Sequence, residues 1–273
     1  MTEPCFELVP ATRDARLLLL CDHASNAVPM GYAGLGLAPH LFQTHIAYDI
    51  GAAVVTRALA RAFGAAAVLG RFSRLLVDLN RGSDDPTLVM KLSDGSIIPG
   101  NRDANAAEIA ARIAKFHAPY HAAITAEIDR LLKISDGHPP PRAQSALAGE
   151  VVVAGSRASE DRRGPILVSL HSFTPAWKGQ SRPWEVGVLW DEDGRLARPL
   201  MMKLAEAGFA VGDNEPYSGA LDGDTLNQHG TRRGLPHVLI EMRQDLIGDE
   251  AKAQAFAARL KPVLDAALAA VES

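Results

Sequence analysis

The sequence predicts an α/β protein, on three observations. Short apolar runs alternate with longer segments of helical periodicity. The runs are rich in Val, Ile and Leu, as suits strands buried on both faces. The 273 residues, 47% hydrophobic and 22% charged, have ordinary globular usage and are long enough to bury a large core without disulfides. Strands are predicted at 17–21, 66–69, 75–79, 166–170, 186–190, 209–212 and 238–242. A helix is expected over 50–63, with Val54, Val55, Ala58, Leu59 and Ala62 on one face. A second helical stretch covers 104–132. Ile109, Ile113, Phe116, Ile124, Ile128 and Leu131 line its inner side, and Pro119 should kink or split it. Helices at 196–207 and 250–271 follow, the latter repeating Phe256, Leu260, Leu264 and Leu268 every four residues. The stretch 135–165, with Pro139-Pro140-Pro141 and the run Glu160-Asp161-Arg162-Arg163, reads as a long loop or lid with a short strand at 151–154. A domain boundary there is the alternative. A single domain over 1–273 is expected, because polar motifs on both sides of this stretch belong to one site.

Composition excludes several classes of partner. The 28 basic and 32 acidic side chains leave a net charge of −4, which argues against nucleic acid. Aromatics at 5% argue against a stacking platform. The apolar run at 17–21 is too short for a membrane span or a signal-peptide core, so no membrane partner is expected. Cys5 and Cys21 read as free thiols in a cytoplasmic, reducing compartment. A Cys21–His23 nucleophilic pair is the less favoured reading, since Cys at the end of an apolar run behaves as a small buried hydrophobe.

Four of the apolar runs end in reactive clusters. Residues 17–21 end in Asp22-His23-Ala24-Ser25-Asn26, and 75–79, which contains Asp78, ends in Asn80-Arg81. Residues 166–170 end in His171-Ser172, and 238–240 run into Glu241-Met242-Arg243. Ligands of open α/β sheets bind beyond the carboxyl ends of the strands, and the chemistry these clusters share is metal-assisted hydrolysis. Two imidazoles, from His23 and His171, plus a carboxylate leave zinc a position for water, whose pKa it lowers. Glu241 can take that water's proton and deliver it to a leaving amine. Asn80 and Arg81 can hold a substrate carboxylate. Singly, a His after a strand is usually a hydrogen-bonded structural residue, and an Arg or Glu at a strand end a solvated charge. The combination carries the functional reading.

The segments Cys21-Asp22-His23-Ala24-Ser25-Asn26-Ala27-Val28-Pro29, Ala47-Tyr48-Asp49-Ile50-Gly51-Ala52, Val77-Asp78-Leu79-Asn80-Arg81, Leu170-His171-Ser172-Phe173-Thr174-Pro175, Arg182-Pro183-Trp184-Glu185-Val186-Gly187-Val188-Leu189 and Ile240-Glu241-Met242-Arg243-Gln244-Asp245-Leu246 resemble the N-formylglutamate amidohydrolase family. That family is similar in architecture to the zinc carboxypeptidases and aspartoacylases. The resemblance implies a three-layer α/β/α fold with a mixed, mostly parallel central sheet. It implies one divalent metal, zinc first, with His23 and His171 as ligands, Asn80 and Arg81 as carboxylate binders and Glu241 as general base. The implied reaction releases formate and L-glutamate from N-formyl-L-glutamate, a small dicarboxylate, in histidine breakdown.

The sequence departs from the wider superfamily at Asn26, where the carboxypeptidases have Glu; a neutral amide oxygen is a poorer zinc ligand. Asp49 is the first candidate for the missing carboxylate and Asp22 a weaker one. The competing role for Asp49 is N-cap of the helix at 50. Arg243 or Arg182 is assigned to the second substrate carboxylate, and His229 to substrate or oxyanion contact, with a plain turn at 219–234 as the alternative. His117 and His121 are spaced i, i+4 but lack the Glu of the zinc-protease helix, and read as structural or supporting residues. Two rivals stand beside this reading. One is a deacylase or carboxypeptidase acting on another substrate; the other is a non-catalytic amino-acid-binding protein. Neither metal identity nor oligomeric state is legible in the sequence.

Overall fold

The structure, a computed structural model, describes residues 4–13, 16–135 and 164–272. In chain order the first elements are β1 (Phe6–Val9), β2 (Leu17–Cys21), α1 (Ala52–Phe63), β3 (Ala66–Gly70), β4 (Leu92–Ser93) and β5 (Ser96–Ile97). Next come α2 (Pro99–Arg102), α3 (Ala106–Arg112), α4 (Ala118–Ser135), β6 (Ile166–Phe173), β7 (Ala176–Trp177) and β8 (Gln180–Ser181). The last are β9 (Val186–Leu189), α5 (Gly194–Glu206), β10 (Val211–Asp213), α6 (Thr225–His229), β11 (His237–Arg243) and α7 (Glu250–Glu272). The expected strand at 151–154, and nearly all of the expected loop or lid at 135–165, lie outside the described residues.

One sheet runs in the order β1-β3-β2-β6-β11-β9-β10. β3, β2, β6 and β11 are mutually parallel. β1 runs antiparallel to β3 and β9 antiparallel to β11, while β10 is parallel to β9. This is the mixed, mostly parallel sheet that was expected. Because side chains alternate across a strand, each strand feeds two cores. Leu17, Leu19, Val168, Leu170, Val238 and Ile240 face α1, α5 and α7. Leu18, Leu20, Val68, Leu167 and Leu239 face Tyr120, Ile124 and Ile128 of α4. Each fully buried Leu or Ile contributes about 1.5–3 kcal/mol, so both helical layers are held by the strands' own alternation. No helix among the described residues is long and apolar enough to cross a membrane.

One local expectation is corrected, one is borne out in detail, and one edge strand was not anticipated. Residues 75–79 form no strand. Leu75 and Leu76 are fully buried, but their carbonyls accept from Asn101 Nδ2 (2.7 Å) and Arg112 Nη1 (2.9 Å), and Asp78 N–H bonds Leu88 O (2.7 Å). An apolar run reports burial, and here side chains and loops satisfy the backbone in place of a ladder. The helical stretch 104–132 breaks at a π turn, Ile113–His117, ahead of Pro119. Pro119 has no N–H for the preceding turn, and the π turn absorbs the break. The edge strand β1, four residues of mixed exposure, gives too weak an alternation to be read.

Candidate metal centre and cavity

The carboxyl ends of β2, β6 and β11 meet at one place. On β6 and β11, paired in parallel with Glu241 opposite His171, the face that carries Leu167 and Leu239 turns polar toward the strand ends. His171 and Glu241 therefore point to the same side. The chain leaving β2 supplies Asp22 and His23. Asp49 comes from the approach to α1 and is not that helix's cap. The cap position is Gly51, at φ +81°, where a Cβ would lie 2.1 Å from Ile247 O. The Asp49 backbone carbonyl accepts Ala52 N–H (3.2 Å), which leaves its carboxylate free to face the histidines.

His23, Asp49 and His171 are buried, and one potential ligand atom from each lies within 4.8 Å of the others. Asp49 Oδ2 is 2.9 Å from His171 Nδ1, and Asp49 Oδ1 is 3.5 Å from His23 Nδ1. His23 Nδ1 is buried and has no hydrogen-bond partner among the described residues. Each imidazole is held from behind: His23 Nε2–H donates to Asp78 (2.7 Å) and His171 Nε2–H to Asp22 (2.9 Å). A carboxylate on the far nitrogen is the usual support of a metal-ligating histidine, fixing its tautomer and ring orientation. Two nitrogens and one carboxylate, each poised and one with an idle lone pair, fit a divalent ion such as zinc. The fit answers the question raised by Asn26, whose amide donates to Phe42 O (2.7 Å). Asp49 brings the carboxylate, and Asp22 supports His171.

The charges are strongly coupled. Burial disfavours the Asp22 and Asp49 carboxylates, but hydrogen bonds and charge from the histidines hold both well below the usual range. Burial likewise opposes ionisation of Asp78, and the Arg74 guanidinium (2.8 Å) and His23 keep it ionised. Burial would discharge His171, yet its bonds to Asp22 and Asp49 raise it well above 6.5. Glu241 moves the other way. Burial lifts its pKa to about 7, reinforced by Asp49 and opposed by the two histidines and Arg74, and its buried Oε2 has no hydrogen-bond partner among the described residues. A carboxyl poised near neutrality is suited to proton transfer in both directions.

A cavity of about 270 Å³ opens on this cluster. Asn80, Arg81 and Glu241 line it as expected, and so do Arg74, Tyr217 and Asp224. Asn80 Oδ1 accepts Thr225 N–H (3.1 Å), so its amide NH₂ end remains available. Arg81 donates through Nη1 to Asn80 O (2.7 Å) and through Nε to Thr87 Oγ1 (3.2 Å); its Nη2 forms no hydrogen bond among the described residues. Asp224 is pushed up to about 6 by burial.

Three expected binders stand outside the cavity lining. Arg243 pairs with Asp245 (2.8 Å) and donates to the carbonyls of Arg182, Pro183 and Trp184, acting as a backbone clamp. Arg182 sits behind the wall, donating to Thr174 Oγ1 (3.0 Å) and stacking 5.2 Å from the Tyr217 ring centre. His229 Nε2–H donates to His121 Nδ1 (2.9 Å). His121 Nε2–H in turn donates to Leu79 O (3.0 Å), and His117 Nε2–H to Arg81 O (2.9 Å). Burial, then neighbouring positive charge, lowers His121 to about 3 and His229 to about 4. The trio is therefore a neutral scaffold that grips the backbone on both sides of Asn80. Cys21 points to the opposite core, its thiol raised by burial, so the nucleophilic pairing with His23 is not formed. Sequence reasoning passed over Arg74 because its position four before Asp78 matches any surface pair; Tyr217 gave no signal at all.

Solved structures with this fold align over nearly the whole chain. A gene product from Agrobacterium tumefaciens is 32% identical, with a TM-score of 0.84 over 99% of this chain and 97% of its own. The N-formylglutamate amidohydrolase from Ralstonia eutropha, 19% identical, has a TM-score of 0.67 over 99% of this chain and 98% of its own, a likeness of fold. Among curated proteins none matches this sequence. Fold and site together define the class: an α/β/α hydrolase whose strand ends carry a donor set suited to a divalent metal. The chain belongs to the N-formylglutamate amidohydrolase family, whose profile matches residues 15–139 and 150–248.

Proposed function

We propose that this protein is a metal-dependent amidohydrolase that cleaves N-formyl-L-glutamate to L-glutamate and formate. The observation that carries the reading is Glu241: a buried carboxyl near neutral pKa, with an unpartnered oxygen, beside the His23–Asp49–His171 cluster in a cavity that also presents Asn80 and Arg81. A divalent ion held by His23, Asp49 and His171, zinc in this reading, would supply Lewis acidity to the formyl carbonyl and acidify water. Glu241 takes the proton of the attacking water and then gives it to the amide nitrogen as the C–N bond breaks. Arg81 Nη2 and the Asn80 amide bind a substrate carboxylate, and the His117–His121 scaffold keeps both in register. Asp22 and Asp78 hold the two imidazoles in orientation throughout. Two buried free thiols, Cys5 and Cys21, agree with a cytoplasmic setting, and the substrate places the step in histidine breakdown.

The test is hydrolysis of N-formyl-L-glutamate by metal-replete protein. Glu241→Gln should lower kcat by about 10²–10⁴ while metal content stays near stoichiometric, and His171→Ala should lose the metal. Inertness toward this substrate together with cleavage of other N-acyl amino acids would move the assignment to a different deacylase. Metal-free protein that binds glutamate would leave the non-catalytic rival.

A further inference from the structure

Arg81 and Asp224 both line the cavity, and their backbones stand opposite each other. Two contacts set this register. Asn80 Oδ1 accepts Thr225 N–H (3.1 Å), and a Cβ on Gly223 would lie 3.1 Å from Gly82 Cα. Residues 80–82 and 223–225 therefore run side by side in opposite directions, which puts Arg81 across from Asp224. Yet no ion pair joins the two among the described residues. Arg81 Nε approaches Asp85 instead (3.9 Å), and its Nη2 forms no hydrogen bond. Asp224 is buried and spends Oδ1 on Asn227 N–H (2.7 Å), capping α6. Its Oδ2 accepts no hydrogen bond among the described residues. The backbone beside it is pinned, Gly223 N–H donating to Asn227 Oδ1 (3.0 Å) and Gln228 Nε2 to Gly223 O (2.6 Å). A guanidinium and a buried carboxyl are thus held opposite each other, each with an idle atom and a space between them.

We propose that Asp224 is a third binder of the substrate carboxylate, donating from Oδ2 as the neutral acid to the carboxylate held by Arg81 and Asn80. The inference rests on the carboxylate-binding role of those two residues in the amidohydrolase reading. Two carboxylates brought this close share one proton, because ionising both costs more than keeping it. Asp224 is already part-way to that state. Burial lifts it to about 6, helped by the Asp22 charge and opposed by Asn227 N–H, His171 and Arg81. Of the other titratable groups nearby in the chain, His229 is held neutral by burial, and Asp222 is exposed and paired with Arg232 (2.9 Å). An arriving anion raises Asp224 further. Above its own titration Asp224 therefore takes one proton from solvent for each carboxylate bound, and each pH unit costs about tenfold in affinity.

The experiment is calorimetric binding of N-formyl-L-glutamate, glutarate and L-glutamate to zinc-loaded Glu241→Gln protein, from about pH 6 to 8.5. That background stops turnover and removes the titration of Glu241. Buffers of different ionisation heat give the proton count. Asp224→Asn, added to it, is the control for every other titrating group, the metal site included. It keeps the cap on α6 and offers an amide N–H where the acid offers its O–H. For N-formyl-L-glutamate and glutarate, Asp224→Asn should lower proton uptake by about one per ligand above pH 7 and remove about tenfold per pH unit from the rise in Kd. Asp224→Ala, with no donor, should bind about tenfold more weakly than Asp224→Asn at every pH. Uptake and slope unchanged in Asp224→Asn overturn the assignment, since loss of charge at a mere helix cap moves neither. Binding of L-glutamate that tightens with pH, and loses this in Asp224→Asn, also overturns it, because Asp224 would then be the ionised partner of an ammonium. Hydrolysis by zinc-loaded protein with Glu241 intact is read separately. Its absence alongside Asp224-dependent uptake of glutarate overturns the amidohydrolase reading and keeps this inference; its presence with a KM whose pH profile ignores Asp224→Asn does the reverse. Failure of all three ligands to bind near pH 6 overturns the carboxylate site and this inference with it.

Discussion

His171 stands between two carboxylates, Asp22 and Asp49, and in the absence of a metal its raised pKa keeps it protonated at pH 7. A divalent ion held by His23, Asp49 and His171 would need His171 deprotonated, so zinc binding to metal-free protein should release a proton and tighten as pH rises. Calorimetric titration in buffers of different ionisation heat measures the release; a proton count of zero would contradict the arrangement. The same groups contribute to the acid and alkaline stability of the metal-free form, against His121 and His229, whose lowered pKa values cost stability as pH falls below 6.5. Asp22 and Asp49, with depressed pKa values, stabilise the fold above pH 3.8 and lose that contribution as pH falls. His171, with a raised pKa, stabilises it below pH 6.5 and loses that as pH rises through the raised value. Glu241, raised from 4.5 to about 7, acts in the alkaline direction too, so these groups favour the window from pH 3.8 to about 4.5 and weaken the fold above it. Two substitutions separate the roles of the supporting residues. Asp78→Asn should weaken zinc binding by about 10–100-fold in competition with a chelating dye. His121→Ala should raise KM with little change in kcat, since Leu79 O loses one of its two donors, keeping only Thr225 Oγ1, while the metal ligands keep theirs. The histidines and Glu241 were legible because each stands within two residues of the end of an apolar run; the neighbours that tune them were not, because a pKa depends on what approaches in space.

Between elements, one close fit in the site is where β9 runs beside β11. Gly187 lies opposite Glu241, and a Cβ there would meet Glu215 O at 2.1 Å and Glu241 Cβ at 3.2 Å. A backbone carbonyl cannot swing away as a side chain can. Gly187→Ala should therefore destabilise by about 1–3 kcal/mol, as other overpacked sites do, and lower activity by displacing Glu241. Urea unfolding and a rate measurement on the same preparation test both effects. At this scale the long helices and the central strands were read correctly to within a few residues, since their apolar periodicity spans many positions. The run at 75–79 misled because Leu75 and Leu76 are buried by the loops around them, and burial without a ladder leaves the same trace in sequence as a strand.

For the whole molecule, the proposed ligand set joins the end of β2, the approach to α1 and the end of β6, so an ion bound there would couple parts of the chain that are distant in sequence. Zinc at one hundred times its Kd should stabilise the fold by about 2.7 kcal/mol, seen as a higher Tm that a chelator reverses and that His23→Ala abolishes. The net charge of −4 sets only the overall field, and a small anion answers to the local one, where Arg74 and Arg81 face the cavity together with Asp49, Asp191, Asp224 and Glu241. The sequence by itself determined the α/β alternation, the strand ends that bear His23, His171 and Glu241, and the placing of Asn80-Arg81 as a carboxylate binder in the family resemblance. These follow from periodicity and from chemistry adjacent along the chain. Tertiary structure alone decided that Asp49, the first sequence candidate, lies beside His23 and His171 and does not cap α1, and that Arg243 clamps backbone while Arg81 faces the cavity. Those outcomes depend on strand direction and on which helix roofs which half of the sheet, and a side chain's partner is fixed by that packing and not by its neighbours in sequence.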